Sequence, residues 1–474
     1  MTIDIAPFIG GGARPFDPAL EQRNPANLDE VVARLPESGA GLAAEAAAAA
    51  RGAVAQLGGI EARADALDRI GAVLAAQSGE LAALITRETG KTIGDAAGEV
   101  MRASRLFRFF AGEALRIVGE RFDSVRPGVS VEVSYEPVGV VGAITPWNFP
   151  IAIPAWKIAP ALAFGNAVVW KPSEHATATA EALMRIIAQA GLADGAVNLV
   201  PGGAVTGAAL VAEAGIDAVS FTGSEATGRG VRIAAVERGA PVQAEMGGVN
   251  GLVVLADADL DIATEVLVNG AFFAAGQRCT ATSRVIVEEV IADALLERVR
   301  ARMGRLKVGD PADKATEVGP LVSARQKAGV LAAVEQMRAA GHAPAVSGRD
   351  EAPACFVDPI LFDRVEASDL IAREEVFGPV AGLIRVSGYD EALAVSNAVR
   401  FGLCAGICTT SLKYAEHFKR NARVGMVMVN LPTAGVDYHA PFGGMKASSY
   451  GAREQGRAAR AFFTVTKTAY QRPA

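Results

Sequence analysis

The sequence predicts an α/β protein with two parallel-sheet domains and a small appendage built from β-strands. The 474 residues are 51% hydrophobic and 21% charged, which is enough apolar material for large buried cores. From residue 138 onward, short apolar runs alternate with helical stretches, the pattern of repeated βα units on a parallel sheet. A segment at residues 129–135 alternates apolar and polar side chains, as a half-exposed strand does.

The elements follow in order along the chain. Ala, Leu, Glu and Arg with few breakers predict that the first third is helical, over residues 42–56, 62–88 and 92–119. Strands of the first parallel series are predicted at residues 138–144, 167–170, 197–200, 218–221 and 251–256. The second series has strands at 284–287, 380–386, 405–409 and 426–430 and helices at 291–303, 323–340 and 390–399. A last strand at 462–467 is predicted to pair near Val131, in the same or another subunit.

Charge and composition exclude several classes of function. The chain has 46 Lys and Arg against 52 Asp and Glu, a net charge of −6, so it lacks the basic surface of a nucleic-acid or anionic-membrane binder. No uninterrupted apolar run is long enough to span a membrane, and the first residues lack the features of a signal peptide. We therefore expect a cytoplasmic protein that binds neither nucleic acid nor membrane.

Cysteine and histidine are scarce. The four cysteines form no CxxC pair, which indicates a reducing compartment and no disulfide framework. The four histidines are far apart and none has the spacing of metal ligands. The sequence therefore predicts no metal site.

Two motifs lie where an open α/β sheet binds ligands. Asn148 stands between Pro146 and Pro150 after an apolar strand, and its amide could stabilise an oxyanion or simply cap the turn. The turn at Gly223, between a strand and a helix, suits a pyrophosphate, although its glycines do not match GxGxxG. Glu245 follows about 20 residues later, where it could bind a ribose, serve as a general base or be a solvated loop acid.

Cys279 is the candidate nucleophile. A lone cysteine is most often a small buried hydrophobe. This one lies among polar residues beside Arg278, whose charge we expect to lower the thiol pKa and favour a thiolate. Residue spacing alone leaves both interpretations open.

Taken together, these residues resemble the aldehyde dehydrogenase superfamily over nearly the whole chain. Seven motifs occur in the family's order: Pro146-Trp147-Asn148-Phe149-Pro150, Trp170-Lys171-Pro172-Ser173-Glu174, Phe221-Thr222-Gly223-Ser224, Glu245-Met246-Gly247-Gly248, Gly276-Gln277-Arg278-Cys279, Glu374-Glu375-Val376-Phe377-Gly378-Pro379 and Pro441-Phe442-Gly443-Gly444. The resemblance implies two Rossmann-like domains, with residues 1–121 and 138–246 binding a dinucleotide and residues 247–446 forming the catalytic domain. It also implies an oligomerisation segment at 122–137 and 447–474, in a homo-oligomer that is a dimer or a tetramer.

The resemblance assigns catalytic roles residue by residue. Cys279 matches the nucleophile, and the Asn148 amide with the Cys279 backbone N–H matches the oxyanion site. Glu245 matches the base that hydrolyses the thioester, which replaces the ribose interpretation. Lys157 and Glu454 match positions proposed to relay protons to that base, and a structural ion pair is the alternative.

The family pattern also implies the cofactor contacts. It places Lys171, Ser173 and Glu174 near the adenosine ribose, where Glu174 would repel a 2′-phosphate and favour NAD, although Lys171 and Ser173 leave NADP open. The remaining cofactor positions are Thr145, Pro146, Trp147, Phe221, Gly223, Ser224, Glu375 and Phe377.

Residues 148–157 and 430–439 resemble the α-ketoglutaric semialdehyde (2,5-dioxopentanoate) dehydrogenases, so this aldehyde is the expected small-molecule substrate. We expect Arg278 to meet its distal carboxylate, or else to pair with a local acid. The other predicted substrate residues are Phe149, Pro432 and Phe442. Succinic and glutaric semialdehydes are the alternative substrates. Two other classes of protein are also possible: a CoA-acylating enzyme, which Glu245 disfavours, and a non-catalytic binding protein.

Overall fold

The computed structural model describes residues 2–349 and 352–473 and contains two large β-sheets with helices on both faces. The chain begins with strands β1 (Ile3–Asp4), β2 (Phe8–Ile9), β3 (Gly12–Ala13), β4 (Leu20–Asn24) and β5 (Asn27–Leu35). Four helices follow, which are α1 (Gly39–Val54), α2 (Ile60–Ala76), α3 (Ser78–Thr89) and α4 (Ile93–Ala114).

The first alternating series contains β6 (Glu120–Asp123), β7 (Ser130–Pro137), β8 (Val140–Thr145), α5 (Ala152–Ala163), β9 (Ala167–Pro172), α6 (Thr177–Ala188), β10 (Val197–Leu199), α7 (Ala204–Ala212), β11 (Ala218–Thr222), α8 (Glu225–Glu237) and β12 (Val242–Glu245). These strands build a sheet of order β12-β11-β8-β9-β10, parallel throughout, which β2 and β3 extend at one edge. Apolar side chains cover both faces, as a parallel sheet requires.

The second series contains β13 (Asn250–Val254), α9 (Leu260–Phe272), β14 (Thr282–Glu288), α10 (Glu289–Met303), α11 (Ala324–Ala339), β15 (Pro344–Val346), β16 (Ile360–Phe362), α12 (Leu370–Arg373), β17 (Val380–Val386), α13 (Tyr389–Asn397), β18 (Phe401–Gly402), β19 (Cys404–Cys408), α14 (Leu412–Asn421) and β20 (Met426–Val429). Its sheet runs β16-β17-β14-β13-β19-β20 in parallel, with β15 antiparallel at the edge. Two further apolar clusters cover its faces.

The chain then returns to the first sheet. Its last elements are β21 (Met445–Lys446), β22 (Ser449–Tyr450), α15 (Arg460–Phe463) and β23 (Thr464–Gln471). Strand β22 pairs with β12, and β23 pairs antiparallel with β7 in the same chain, from Thr464 opposite Pro137 to Gln471 opposite Ser130. The predicted partner of the C-terminal strand is therefore found within one subunit.

The predicted fold class is confirmed, and the strands fall within a few residues of their predicted positions. Four details of the prediction are wrong. The strand at 251–256, predicted in the first series, is β13 and lies in the second sheet. The first third is not only helical, because β1 to β5 precede α1. The predicted helix 62–88 breaks at Gln77, which has non-helical φ and ψ of −96° and 14° just before Ser78 and Gly79, both poor helix formers. The predicted strand at 462–467 begins later, because residues Arg460–Phe463 are helical.

Within the two described ranges, none of the helices combines the length and the hydropathy that a transmembrane span needs. The strand ends place the candidate site. Thr145, Thr222 and Glu245 end β8, β11 and β12, so they lie at one edge of the first sheet, where an open parallel sheet binds ligands. The loop that carries Cys279 leads into β14 of the second sheet.

Candidate active site

The loop that carries Cys279 has an unusual backbone. It follows α9 through a turn in which Ala274 and Ala275 have φ of 54° and 53°, a left-handed conformation that alanine rarely adopts. Gly276 continues the turn at φ 68°, and a Cβ atom there would collide with the main-chain carbonyl of Gly378. Such strain persists only where the surroundings impose it, and it is frequent at functional sites.

Asn250 holds the loop after the turn. Its amide Nδ2 donates to the carbonyls of Cys279 and Ala281, both at 2.9 Å, and its Oδ1 accepts from the N–H of Cys404 at 3.0 Å. One buried side chain thus fixes the main chain at the thiol and just after it, and ties it to Cys404. Among the described residues, the backbone N–H of Cys279 has no hydrogen-bond acceptor.

Asn148 lies in the turn that follows β8. Its side-chain Nδ2 donates to the carbonyl of Gln277 at 3.0 Å, two residues before the thiol. Its own carbonyl accepts from the ammonium of Lys91 at 2.6 Å, and Lys91 forms a buried ion pair with Glu99. The predicted oxyanion donor is therefore held from both its main chain and its side chain.

Cys279 and Asn148 line the same cavity of about 500 Å³. Six more of the predicted site residues line it as well, namely Pro146, Trp147, Gly223, Ser224, Glu375 and Phe377. The rings of Trp147 and Phe377 meet edge to face at 5.5 Å. The cavity thus brings together motifs that are up to about 230 residues apart in the sequence.

Glu245 is buried at the end of β12, with 2% of its surface exposed. Its Oε2 accepts from the hydroxyl of Ser449 at 2.5 Å, whereas Oε1 has no partner among the described residues. Gly443 lies so close that a Cβ atom would be 2.6 Å from Oε1. Burial raises the pKa of Glu245 well above its usual value, and the charge of Glu454 raises it further.

Lys157 and Glu454 form a fully buried ion pair below Glu245. Lys157 also donates to the hydroxyl of Ser220 at 2.8 Å, and that hydroxyl donates to Gln243 at 2.9 Å. One oxygen of Glu454, Oε2, has no described partner. The ion-pair interpretation of these two residues therefore describes their geometry, and the proton relay stays a prediction.

Comparison with known proteins agrees with this geometry. The profile of the Aldehyde dehydrogenase family matches residues 15–469. The chain belongs to the aldehyde dehydrogenase family.

Similar relatives extend over nearly the whole chain. The chain is 40% identical to the alpha-ketoglutaric semialdehyde dehydrogenase of Bacillus subtilis (strain 168), over 96% of this chain and 95% of the relative. It is 41% identical to the alpha-ketoglutarate semialdehyde dehydrogenase of Haloferax volcanii, over 95% of each chain. A crystal structure of betaine aldehyde dehydrogenase from Staphylococcus aureus in complex with NAD+ has a TM-score of 0.96 and 30% identity, over 99% of this chain and 95% of that one.

The surroundings of the thiol in this aldehyde dehydrogenase correct one prediction. Burial raises the pKa of Cys279, and the carboxylates of Glu375 and Glu245 raise it further. The expected lowering by Arg278 is wrong, because that guanidinium is directed to Asp95, 3.5 Å away. The position of Arg278 thus fits the alternative prediction, in which it pairs with a local acid and not with the substrate.

Five of the predicted cofactor residues do not line the cavity, namely Thr145, Phe221, Lys171, Ser173 and Glu174. Phe221 is buried, and its ring packs under Gly223, where a Cβ atom would be 2.6 Å from Cζ. Thr145 is also buried, and its hydroxyl accepts from the indole N–H of Trp170 at 2.9 Å. Phe221 and Thr145 are therefore buried contacts of neighbouring residues and not part of the cavity lining.

Lys171, Ser173 and Glu174 lie at the end of β9. Lys171 is buried, donates to the carbonyl of Gly202 at 2.7 Å and is subject to the negative charges of Glu174 and Glu37. Burial lowers its pKa, and these carboxylates partly restore it. Ser173 donates to Glu174 at 3.4 Å.

Glu375 lies beside the Gly247-Gly248 pair. Its Oε1 accepts from the N–H of Gly248 at 3.0 Å, and a Cβ atom on Gly247 would overlap the carboxylate. Burial raises the pKa of Glu375 to about 7. Because residue 247 is glycine, the Glu375 carboxylate can lie directly against the main chain.

The predicted substrate residues divide into two groups. Phe442 packs in one apolar cluster with Cys279, and Phe149 lies under the ammonium of Lys91 at 4.0 Å. Pro432 is different, since it lines a separate open groove beside Asp261 and Arg302 and not the cavity of the thiol. The reason is that Thr433, the next residue, is buried and its hydroxyl donates to the Thr280 carbonyl, so Pro432 is left on the outer side.

Sequence reasoning missed four residues that shape this site, namely Lys91, Glu99, Arg102 and Asn250. Lys91, Glu99 and Arg102 lie on or just before α4, in a stretch that shows only the composition of a helix. Asn250 follows the Gly247-Gly248 pair, where an asparagine among apolar residues was the only available signal.

Proposed function

We propose that this aldehyde dehydrogenase oxidises α-ketoglutaric semialdehyde to 2-oxoglutarate with NAD, through a thiohemiacetal and a thioester on Cys279. The observation that carries the proposal is the shared cavity of Cys279 and Asn148, which six of the predicted cofactor residues also line. Relatives at 40% and 41% identity that are named for this semialdehyde support the choice of substrate.

In the proposed reaction the thiolate of Cys279 attacks the aldehyde carbon. The new S–C bond pushes the carbonyl electron pair onto oxygen, and two donors stabilise the oxyanion, the Asn148 amide and the Cys279 backbone N–H. Asn148 now donates to Gln277, so a short side-chain rotation would redirect it to the substrate. The unpartnered N–H of Cys279 needs no such change.

The cavity fits a dinucleotide on several grounds. The buried hydroxyl of Thr222 lines it without a hydrogen-bond partner in the described ranges. Ser224 is the N-cap of α8, so the helix begins at the cavity, where its N–H groups suit a pyrophosphate. Lys171 and Glu174 would hold the adenosine ribose. Glu375 and Phe377 would hold the nicotinamide ribose, and Trp147 and Pro146 would form one wall of the cofactor site. The bound nicotinamide supplies a hydride acceptor.

We assign NAD as the cofactor, supported by the NAD-bound relative. Glu174 can accept from both ribose hydroxyls and would repel a 2′-phosphate. Lys171 and Ser173 lie beside it, so some use of NADP stays compatible with the site.

Glu245 would then act as the base that activates water against the thioester. Its raised pKa suits a group that must accept a proton near neutral pH. Its unpartnered oxygen Oε1 is the atom that would take this proton, and Lys157 with Glu454 would pass it on. Release of the acid restores the thiol.

Two related proposals concern the whole protein. We place it in the cytoplasm, supported by four cysteines that are all free thiols. We also propose a homodimer or homotetramer in which residues 122–137 and 447–474 form the interface. Within each subunit, residues 1–121 and 138–246 would form the dinucleotide-binding domain, and residues 247–446 the catalytic domain.

The test is a kcat/KM panel. We expect the highest value with α-ketoglutaric semialdehyde and NAD, lower values with succinic and glutaric semialdehydes, and no requirement for CoA. Cys279→Ala should abolish NADH formation. A highest value with a neutral aldehyde would overturn the substrate assignment, and an acyl-CoA product formed only with CoA would overturn hydrolysis.

A further inference from the structure

Three buried N–H donors near the thiol have no acceptor among residues 2–349 and 352–473. They are Nε of Arg102, the indole Nε1 of Trp156 and the amide Nε2 of Gln455. A buried donor without an acceptor destabilises the protein, so three in one place indicate an acceptor that binds there.

The three donors belong to residues that contact each other. Arg102, on α4, donates from a terminal nitrogen to Oε1 of Gln455 at 3.2 Å. Its guanidinium carbon lies 5.8 Å from the ring centroid of Trp156, on α5. Gln455 has φ 59° and ψ 171°, a conformation that is normally reserved for glycine. Two helices and one strained residue thus converge on Arg102.

This cluster of donors adjoins the nucleophile. The indole of Trp156 stacks on Phe442 at 5.5 Å between ring centroids, with the planes 29° apart. Phe442 in turn packs in one apolar cluster with Cys279. Burial lowers the pKa of the Arg102 guanidinium, and the negative charges of Glu99, Asp437 and Cys279 partly restore it, so Arg102 is within electrostatic reach of the thiol. One aromatic layer therefore separates the donors from the sulfur.

Among the described residues, none forms a direct ion pair with Arg102, in contrast with Arg278, which has Asp95 at 3.5 Å. Two carboxylates act on Arg102 from a distance, those of Glu99 and Asp437. Glu99 is already paired with Lys91, and the described part of the chain contains no ion pair between Arg102 and Asp437.

We propose that Arg102, Trp156 and Gln455 form the subsite for the carboxylate of the aldehyde substrate, with Arg102 as its charged anchor. The inference rests on the proposed function and names the residues that select an acidic aldehyde. The 2-oxo acid end of α-ketoglutaric semialdehyde offers two carboxylate oxygens and a keto oxygen, which can accept from all three donors. A trimethylammonium aldehyde such as betaine aldehyde would meet a like charge here.

The experiment compares Arg102→Gln with the matched control Arg105→Gln, which changes an exposed arginine on the same helix. The substrates are α-ketoglutaric and succinic semialdehydes and the neutral valeraldehyde. For Arg102→Gln we expect kcat/KM for the acidic aldehydes to fall about 10- to 100-fold, the usual range for a lost charge-assisted hydrogen bond. The value for valeraldehyde should stay within about threefold, Arg102→Lys should recover part of the loss, and Arg105→Gln should match wild type.

A parallel loss for valeraldehyde would overturn the inference, because Arg102 would then support the fold or the nucleophile. An acid preference that survives in Arg102→Gln and disappears in Arg278→Gln would also overturn it, in favour of Arg278. A wild-type enzyme that reduces NAD with valeraldehyde but shows no preference for acids would overturn both the subsite and the proposed substrate. Bound 2-oxoglutarate, measured by calorimetry, gives an independent readout, and unchanged affinity in Arg102→Gln would contradict the subsite.

Discussion

At the scale of single residues, the surroundings of Cys279 favour the protonated form of its thiol. Burial and the carboxylates of Glu375 and Glu245 raise its pKa, yet the thiolate is the nucleophile. The fraction of reactive enzyme should therefore increase as the pH rises towards that pKa. Removing a nearby negative charge should lower the thiol pKa and move the same reactivity to lower pH.

We expect Glu375→Gln to increase the rate of alkylation of Cys279 by iodoacetamide severalfold at pH 7.5. The measurement is the alkylation rate across pH 6–10, with the modified residue identified by mass spectrometry. Glu366→Gln, at an exposed acid, is the control for a simple change of net charge. Identical pH profiles for Glu375→Gln and wild type would contradict the electrostatic explanation.

Glu245 is expected to separate the two half-reactions. In Glu245→Gln the thioester should form but hydrolyse at least about 100-fold more slowly, the loss typical for removal of a general base. Stopped-flow absorbance should therefore record one equivalent of NADH followed by very slow turnover. In wild type, hydrolysis needs the carboxylate form, so its rate should fall as the pH drops through the raised pKa of Glu245. Fast steady turnover in the variant would assign the base elsewhere.

At the scale of secondary-structure elements, the ion pair of Lys91 and Glu99 ties α4 to the turn that carries Asn148. Glu99 also accepts from the N–H groups of Ile151 and Ala152 at 2.9 and 3.1 Å, just where α5 begins. The pair is buried, so removal of one partner leaves an uncompensated charge.

We expect Lys91→Met to lower the free energy of unfolding by about 3–5 kcal/mol, the usual loss for half of a buried pair. Urea denaturation followed by tryptophan fluorescence measures it, and kcat should fall as well because Asn148 loses its main-chain anchor. The double variant Lys91→Met/Glu99→Leu serves as the control and should be more stable than the single one. Equal stability of Lys91→Met and wild type would exclude this role.

Local sequence was enough to predict most strands, and together with the family resemblance it predicted eight of the residues that line the cavity. Asn148 and Cys279 stand out in the local sequence, the first between two prolines and the second among polar residues, whereas Glu375 and Phe377 follow only from the family resemblance. Arg102 could not be found in this way, because its surroundings come from α5, from Gln455 and from Phe442, all distant in sequence. The effect of Arg278 was predicted wrongly for the same reason, since Asp95 comes from another element.

At the scale of the whole molecule, the three-stranded sheet β23-β7-β6 presents apolar side chains to solvent. Phe122, Val465 and Tyr470 are 46%, 48% and 61% exposed in the single chain. Exposed apolar side chains on an accessible sheet are typical of a surface that contacts another subunit.

We expect the double variant Val465→Asp/Tyr470→Asp to reduce the molar mass in light scattering after gel filtration, because two charges would be buried in the interface. Leu412→Asp provides the control, as Leu412 is 81% exposed on α14 and should leave the mass unchanged. An unaltered mass in the double variant would remove this sheet from the proposed interface.

The site described above is divided between the two large sheets. Glu245 ends a strand of the first sheet, whereas the thiol precedes a strand of the second. On warming, a small displacement of one sheet relative to the other would separate Glu245 from Cys279, while the strands within each sheet stay hydrogen-bonded. We therefore expect heating to abolish the activity a few degrees below the melting temperature that circular dichroism measures. Cooling the enzyme from this temperature range should restore its full activity.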